Sequence, residues 1–398
     1  MPVNPLRKIL VTCLFFAWTL PAFAQAETRP CGLRISLLTS GPAPELYAIW
    51  GHSALRVVDS AHFTDLVFNY GTFDFSTKFF YLKFARGTLL YALSYEPFDY
   101  FQEDDRLDGR KLTEQVLNLD CADKERIYQY LISNYQPEKR FYRYNFLYDN
   151  CSTRIRDLLE SVLGSRLRMG TRLAPPGYTY REGFDYYLEP YPWTRLGIDI
   201  LLGLPTDIPA GPAGIQFLPD YLERAVGQAS LDGHPLDTTE KVLLLPTYNQ
   251  SLPGFFSGPL MVFSLVFLLL AGITFLKPRI PQALLHGTDL ILFLVPGLAG
   301  CLMLLLWLGT EHRQCAWNLN LLWALPTHVV FSLSLGKKRK WTAWYGGATA
   351  VLGIALLIAW AWLPQPLPIP LIPLTAALVI RSWKVWSSHH RPGPAQLV

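Results

Sequence analysis

The chain has 398 residues, of which 51% are hydrophobic, 14% aromatic and 17% charged, with a formal net charge of +4. So small a positive balance gives no argument for nucleic acid. The length suits two or three domains. Hydrophobicity is concentrated in one short N-terminal segment and in the stretch after Pro253, which predicts an exported soluble-type domain followed by a membrane domain.

Residues 1–24 read as a secretory signal. Arg7 and Lys8 supply the charge, Ile9 to Leu20 the apolar core, and Ala22-Phe23-Ala24 the small-x-small cleavage site. That core falls short of the ~20 residues a span needs, which favours cleavage after Ala24 over an uncleaved first membrane helix. Export exposes Cys31, Cys121, Cys151 and Cys315 to oxidising surroundings, whereas Cys13 lies in the signal and Cys301 inside an apolar run. Connectivity does not follow from sequence. Cys31 with Cys121 is the expected pair, since each sits at the edge of a predicted strand without catalytic surroundings. No C-x-x-C pair occurs, so no zinc or thioredoxin-like site is expected, and no metal or organic cofactor is implied.

The exported domain, residues 25–253, opens with strands predicted over Leu33 to Thr39, His52 to Val58 and Leu66 to Tyr70, with a turn near Asp59-Ser60. Leu112 to Leu119 is a further strand. Asp123 is expected to cap a helix through Asn134, with Ile127, Tyr130 and Leu131 on one face. Phe141 to Tyr148 reads as extended. From Ser152, the apolar residues Ile155, Leu158, Leu159 and Val162 recur at helical spacing until Gly164. Between Ala174 and Leu222 the abundance of proline, glycine and aromatics predicts long ordered loops or membrane-edge contacts.

The membrane domain, residues 254–384, contains apolar runs at about 257–276, 284–308, 317–335, 343–363 and 367–381. Lys277 and Arg279 follow the first; Lys337, Lys338, Arg339 and Lys340 the third; Arg381, Lys384 and Arg391 the fifth. The alternate connections carry Arg313 alone. With the N-terminal domain outside, every strongly basic connection falls in the cytoplasm. About five helices in the cytoplasmic (inner) membrane, with residues 385–398 as a cytoplasmic tail, make a self-consistent topology. Asp289 inside the second run implies a polar bundle interior.

Chemistry is expected where an extended segment meets the amphipathic helix. Cys151 stands there, and helix-start N–H groups together with Arg154 and Arg156 favour its thiolate. Asn150 or Ser152 is expected to cap the helix, and backbone N–H groups of this turn to form an oxyanion hole. Taken alone, Cys151 also fits a buried structural cysteine or a disulfide partner. His52, after Gly51 and at the start of a strand, is the candidate base, with Asp149 or Asn145 orienting it. Glu103, Asp104, Asp105 and Asp108 read as a solvated charge cluster. His312, Asn318 and Asn320, on the exported side of a span, and Arg181 are candidates for a membrane-side pocket.

Gly51-His52-x-x-Leu55-Arg56-Val57, followed by Asn150-Cys151-Ser152-Thr153-x-x-x-Asp157, resembles the Lnb family of membrane transacylases that make lyso-form bacterial lipoproteins. The likeness runs on through Tyr180-Arg181, Pro192-Trp193, Gly197-Ile198-Asp199, Leu202-Gly203 and Phe217-Leu218-Pro219. Glu311-His312 and Asn318-Leu319-Asn320-Leu321-Leu322 carry it into the membrane part. The order of histidine before cysteine also resembles circularly permuted papain-like enzymes, including the lecithin:retinol acyltransferase group. The resemblance implies a permuted papain-like α+β domain, an antiparallel sheet with the nucleophile at a helix N-terminus, followed by an all-α membrane domain. It further implies a Cys151–His52 dyad moving an acyl chain from a diacylated lipoprotein or phospholipid, with membrane lipids as partners. A membrane-tethered cysteine hydrolase of cell-wall peptides and a non-enzymatic envelope protein are the alternatives.

Overall fold

The computed structural model describes residues 31–248, 258–276, 281–337 and 339–389. The signal segment and the junction at residues 253 and 254 lie outside the described residues.

Ten strands occur among the described residues, in chain order: β1 (Leu33–Ser40), β2 (His52–Asp59), β3 (Thr64–Thr72), β4 (Leu90–Pro97), β5 (Leu112–Leu117), β6 (Phe141–Arg143), β7 (Leu167–Arg168), β8 (Ser230–Leu231), β9 (His234–Pro235) and β10 (Asp237–Leu244). Seven of them form one sheet in the order β10-β5-β1-β2-β3-β4-β6, with antiparallel pairings throughout. β7, β8 and β9 form a small second sheet.

Both faces of the large sheet are covered. Helices α1 (Phe80–Ala85), α2 (Phe98–Leu107), α3 (Cys121–Asn134) and α4 (Cys151–Leu163) follow the first strands. Ile35, Leu37, Leu55, Val57, Phe68 and Leu93 pack with Ile127 and Leu131 of α3 and with Ile155, Leu158 and Leu159 of α4. The alternate residues Leu38, Ala54 and Val67 pack with Phe98 and Phe101 of α2. Burial on both sides explains why strands that alternate, as in Leu33-Arg34-Ile35 and Leu55-Arg56-Val57, also carry buried residues at their alternate positions. A fully buried leucine such as Leu159 contributes about 1.5–3 kcal/mol, so α4 is held to the sheet by its apolar face.

Three local expectations give way. The cap of α3 is Asp120, which accepts from the Asp123 N–H at 2.7 Å, while Asp123 is buried against Arg126 and Arg166. Extended backbone from Phe141 ends at Arg143, and residues 144–150 form the turn that delivers Cys151. The region from Ala174 to Leu222 is helical rather than looped: α5 (Tyr180–Leu188), α6 (Pro192–Leu201) and α7 (Pro219–Gly227). Pro192 and Pro219 stand in first turns, where a missing N–H costs nothing. Thr179 and Glu182 form a capping box for α5. Pro192 and Pro219 are thus helix starts, while Pro175, Pro176, Pro190 and Pro209 lie in the connections between helices.

The C-terminal region contains α8 (Pro259–Phe275), α9 (Gln282–Gly309), α10 (His328–Ser334), α11 (Lys340–Ala359) and α12 (Leu371–His389). Gln282–Gly309 and Lys340–Trp362 are long and apolar enough to cross a membrane, and α8 is apolar but shorter. The run expected as a span over about 317–335 is broken. It consists of a 3-10 turn at Leu319–Leu322 and then the seven-residue α10, with a further 3-10 turn at Arg313–Cys315 just before it. Pro326 cannot donate to a helical ladder, and the Asn318 and Asn320 side chains bond elsewhere. Small residues of α9 let this segment press close: a Cβ on Gly300 would lie 1.9 Å from the Ala324 oxygen and one on Gly297 2.7 Å from the Val329 nitrogen. Irregular backbone at such a depth is tolerated where protein surrounds it.

Buried Asp289 of α9 receives Nε and Nη2 of Arg381 on α12 at 2.6 and 2.7 Å, and Arg381 Nη1 reaches Thr274 of α8 at 2.7 Å. This is the polar interior that Asp289 implied, and it ties three helices together. The helix carrying Arg381 continues to His389, beyond residue 384, where the tail was expected to start.

Candidate active site

Two local arrangements bring His52 and Cys151 together. Gly51 has φ +81°, and a Cβ there would lie 2.6 Å from the Ser40 oxygen. Only glycine lets β2 begin this close to β1; His52 pairs with Ser40 in the register. On the other side, Asn150 caps α4. Its Oδ1 accepts the N–H groups of Ser152 and Thr153 at 3.0 and 2.9 Å, and Thr153 Oγ1 accepts the Asn150 N–H at 2.8 Å. The Asn150 amide donates to the Phe146 and Phe217 carbonyls at 2.9 and 2.8 Å. The cap engages the second and third N–H groups of the helix and not that of Cys151, which stays directed out of the helix start.

The Cys151 thiol and the His52 imidazole interact electrostatically with each other. The Ser53 backbone N–H also favours the charged sulfur. Ser152 Oγ lies 3.8 Å from the sulfur and 3.0 Å from Ser53 Oγ. Burial alone would push the thiol upward, but the imidazole charge, the Ser53 N–H and the Ser152 hydroxyl outweigh it, lowering Cys151 from 9.0 to about 7. Burial lowers His52, and the facing thiolate more than offsets that, so the imidazole is raised from 6.5. Each shift favours the charged form of its group.

His52 Nε2 lies 3.1 Å from Asn69 Oδ1, and Asn69 Nδ2 donates to Glu96 Oε1 at 2.9 Å. That leaves Nδ1 as the ring nitrogen available to the thiol. Phe101 of α2 flanks the ring at 6.4 Å. Burial raises the carboxyls of both Glu96 and Asp105. Asp105 departs from the solvated cluster expected of its neighbours: it is 3% exposed, accepts from Ser40 Oγ and pairs with Arg110 at 3.3 Å.

The turn that carries the thiol touches the helical region directly. Gln314 donates to Asn145 Oδ1, and the Gly203 N–H donates to the Gln314 carbonyl at 2.8 Å. A Cβ on Gly203 would lie 1.9 Å from the Ala316 oxygen, so the two backbones meet without a side chain between them. Carbonyls at the C-terminal end of α6 are orphaned by the helix geometry. Asn318 and Asn320 donate to those of Asp199, Ile200 and Leu201, and Gln365 and Arg181 to that of Leu202.

Residues 19–185 match the family model of the Lnb N-terminal periplasmic domain, and residues 250–390 that of the Lnb transmembrane domain. The chain belongs to the Lnb family. Membership suggests a lipoprotein-modifying membrane enzyme with an extracytoplasmic domain. No curated protein and no solved structure matches the chain. Within this Lnb chain, His52 and Cys151 fall in the first matched region and α8 to α12 in the second.

Of the residues singled out in sequence, His52, Asn150, Cys151 and Ser152 converge. Asn145 and Asp149 do not orient the histidine. Asn145 Oδ1 accepts the N–H groups of Leu147 and Tyr148 at 3.0 and 3.1 Å, and Asp149 takes both arms of Arg154 at 2.5 and 2.8 Å. Asn69 holds the position instead, and sequence reasoning missed it; its only signal was an amide amid Val67, Phe68 and Tyr70. Arg181, Asn318 and Asn320, expected at a membrane-side pocket, spend their polar groups on neighbouring backbone and side chains. They are buried in the contact between the two regions, with Arg181 also paired to Asp199 and Asp207. His312 Nε2 bonds the Phe84 carbonyl at 3.1 Å. Cys31 and Cys121 are free thiols that interact electrostatically with each other.

Proposed function

We propose that this Lnb chain is a multi-pass enzyme of the cytoplasmic membrane. It moves a fatty-acyl chain through a Cys151 thioester from the diacylglyceryl group of a lipoprotein to that lipoprotein's N-terminal amine. The observation that carries the reading is the buried Cys151 thiol, drawn to about 7 by His52, on a turn hydrogen-bonded to the helical region through Gln314. A nucleophile poised near neutrality and held beside a bilayer suits acyl chains. The order of His52 before Cys151, with Asn69 behind the imidazole, supports a permuted papain-like dyad.

Cys151 sulfur attacks the ester carbonyl, and the Cys151 N–H at the helix start faces the developing oxyanion, where one such donor is worth about 10²–10³ in rate. The tetrahedral intermediate collapses by breaking the C–O bond. The departing glycerol oxygen takes its proton from the His52 imidazolium, leaving neutral imidazole and an acyl thioester. The free amine of the lipidated cysteine then attacks the thioester carbon and passes a proton to His52. The C–S bond breaks, thiolate and imidazolium return, and the product is an N-acyl lyso-lipoprotein. Burial of the dyad limits hydrolysis of the thioester.

The test is to incubate the full chain with a diacylated lipopeptide and follow its acyl chains by mass spectrometry. The native sequence gives an N-acyl lyso product, and Cys151→Ser and His52→Ala give none. Transfer that survives Cys151→Ser defeats the mechanism.

A further inference from the structure

The exported domain carries an aromatic surface that the dyad does not use. Phe75, Phe79, Tyr81, Leu82 and Phe84, on and beside α1, are each more than half exposed. Phe79 holds φ +59°, a left-handed conformation unfavourable for a bulky residue, and its ring points into solvent. A water-soluble surface gains nothing from such a cluster, and contiguous apolar patches of this kind mark interaction sites.

What covers it follows from where α1 sits. The Glu311 N–H donates to the Arg86 carbonyl at 3.0 Å and His312 Nε2 bonds the Phe84 carbonyl. A Cβ on Gly87 would lie 3.1 Å from Glu311 Cβ. Glu311 is two residues beyond the end of α9, the 28-residue apolar helix. Trp307 and Trp317 pack at 5.0 Å at that same end, and tryptophans gather where hydrocarbon meets headgroups. α1 is therefore level with the outer rim of the bilayer, and Lys78, Lys83 and Arg86 give it cations for lipid phosphates.

The surface is also continuous with the thiol. Phe75 and Phe80 pack on Phe73 at 5.1 and 5.9 Å. Phe73 packs on Tyr91 at 5.3 Å and Tyr91 on Tyr144 at 4.5 Å. Tyr91 and Tyr144 pack against the core cluster that contains Cys151. Phe73, Tyr91 and Tyr144 are all partly exposed, so they form an apolar track along the surface rather than a closed core.

We propose that α1 and its flanking residues dock into the outer leaflet of the bilayer, and that Phe73, Tyr91 and Tyr144 guide an acyl chain from that leaflet to Cys151. The guiding step rests on the acyltransferase reading; the docking does not. Long apolar contact supplies the affinity, and the aromatic faces fix the chain without a polar group for it to strip of water.

The full chain is reconstituted into phosphatidylglycerol–phosphatidylcholine vesicles containing a lipid with a diazirine in its acyl chain, then irradiated and mapped by peptide mass spectrometry. Adducts are expected on residues 79–83 and on the peptides holding Tyr91 and Tyr144, as well as on α8, α9, α11 and α12. Adducts confined to the helical region overturn the proposal. The variant Phe79→Ser, Tyr81→Ser, Leu82→Ser is expected to lower acyl transfer from a vesicle-embedded lipopeptide about tenfold while Cys151 alkylates at the native rate, a control for folding. Native transfer in that variant also overturns it. Labelling of residues 79–83 in a protein that transfers no acyl chain upholds the docking surface and removes the acyltransferase reading instead.

Discussion

Replacing His52 with Gln removes the charge that holds the Cys151 thiolate, and leaves the burial that opposes it. Cys151 titrates at about 7 against an ordinary value of 9.0, a difference of roughly 3 kcal/mol at ~1.4 kcal/mol per unit. Without His52 the thiol returns at least to its ordinary value. At about pH 7.5 the thiolate fraction then falls from roughly three-quarters to roughly 3%, and alkylation slows about 25-fold. The assay is the rate of iodoacetamide modification of Cys151 between about pH 5 and 10, read by peptide mass spectrometry. In the native chain the rate rises through an inflection near 7; in His52→Gln the inflection moves to 9 or above. An inflection that stays near 7 in the variant refutes the reasoning, because the helix start would then be holding the thiolate unaided. The linked stability has opposite signs for the two groups. The depressed thiol contributes fully above its unfolded value of 9.0 and loses that contribution as pH falls through 7. The raised imidazole contributes fully below 6.5 and loses it as pH rises through its folded value.

Asn69→Ala removes the acceptor on His52 Nε2; with a charged imidazole as donor the bond is worth about 1.5–3 kcal/mol, so kcat falls about ten- to hundredfold with KM little changed, and Asn69→Asp, which restores an acceptor, recovers most of it. A fall in KM and kcat together, without rescue, would make Asn69 merely structural. Arg381→Met alone strands Asp289 and costs about 3–5 kcal/mol, whereas Asp289→Leu with Arg381→Met returns to near-native thermal stability in detergent; equal loss in the single and double variants would count against the buried pair. Cys31 and Cys121, which already interact, close a disulfide on oxidation that adds about 2–4 kcal/mol. Peptide mapping without reductant then finds them linked and Cys151 free, and a linked Cys151 would remove the catalytic reading.

The starts of β1, β2 and β5 and of the thiol helix are readable in the chain because local chemistry sets them, whereas β4 and β10 are not anticipated there. Gly51 permits one backbone path, Asn150 and Thr153 form a cap within four residues, and Ile155, Leu158 and Leu159 repeat at the helical period. The helices at Pro192 and Pro219 were misread because proline serves a helix start and a loop equally well, and its surroundings choose between them. The break at Pro326 within the third apolar run was hidden for a related reason: hydropathy registers composition, not whether Asn318 and Asn320 spend their amides on another helix.

Pairing of distant residues belongs to the tertiary structure. Glu103, Asp104, Asp105 and Asp108 are alike in sequence, yet only Asp105 is carried inward to Ser40 and Arg110, because α2 turns that position toward the sheet. Asn69 becomes the partner of His52 because β3 places its amide beside the start of β2, a relation between strands that no spacing along the chain records. Residue type and local pattern alone identified His52 and Cys151 as chemically apt. Their meeting, the amide that orients one of them and the aromatic track toward the bilayer required the sheet and the buried backbone contact at Gly203, since each depends on which side chains packing brings together.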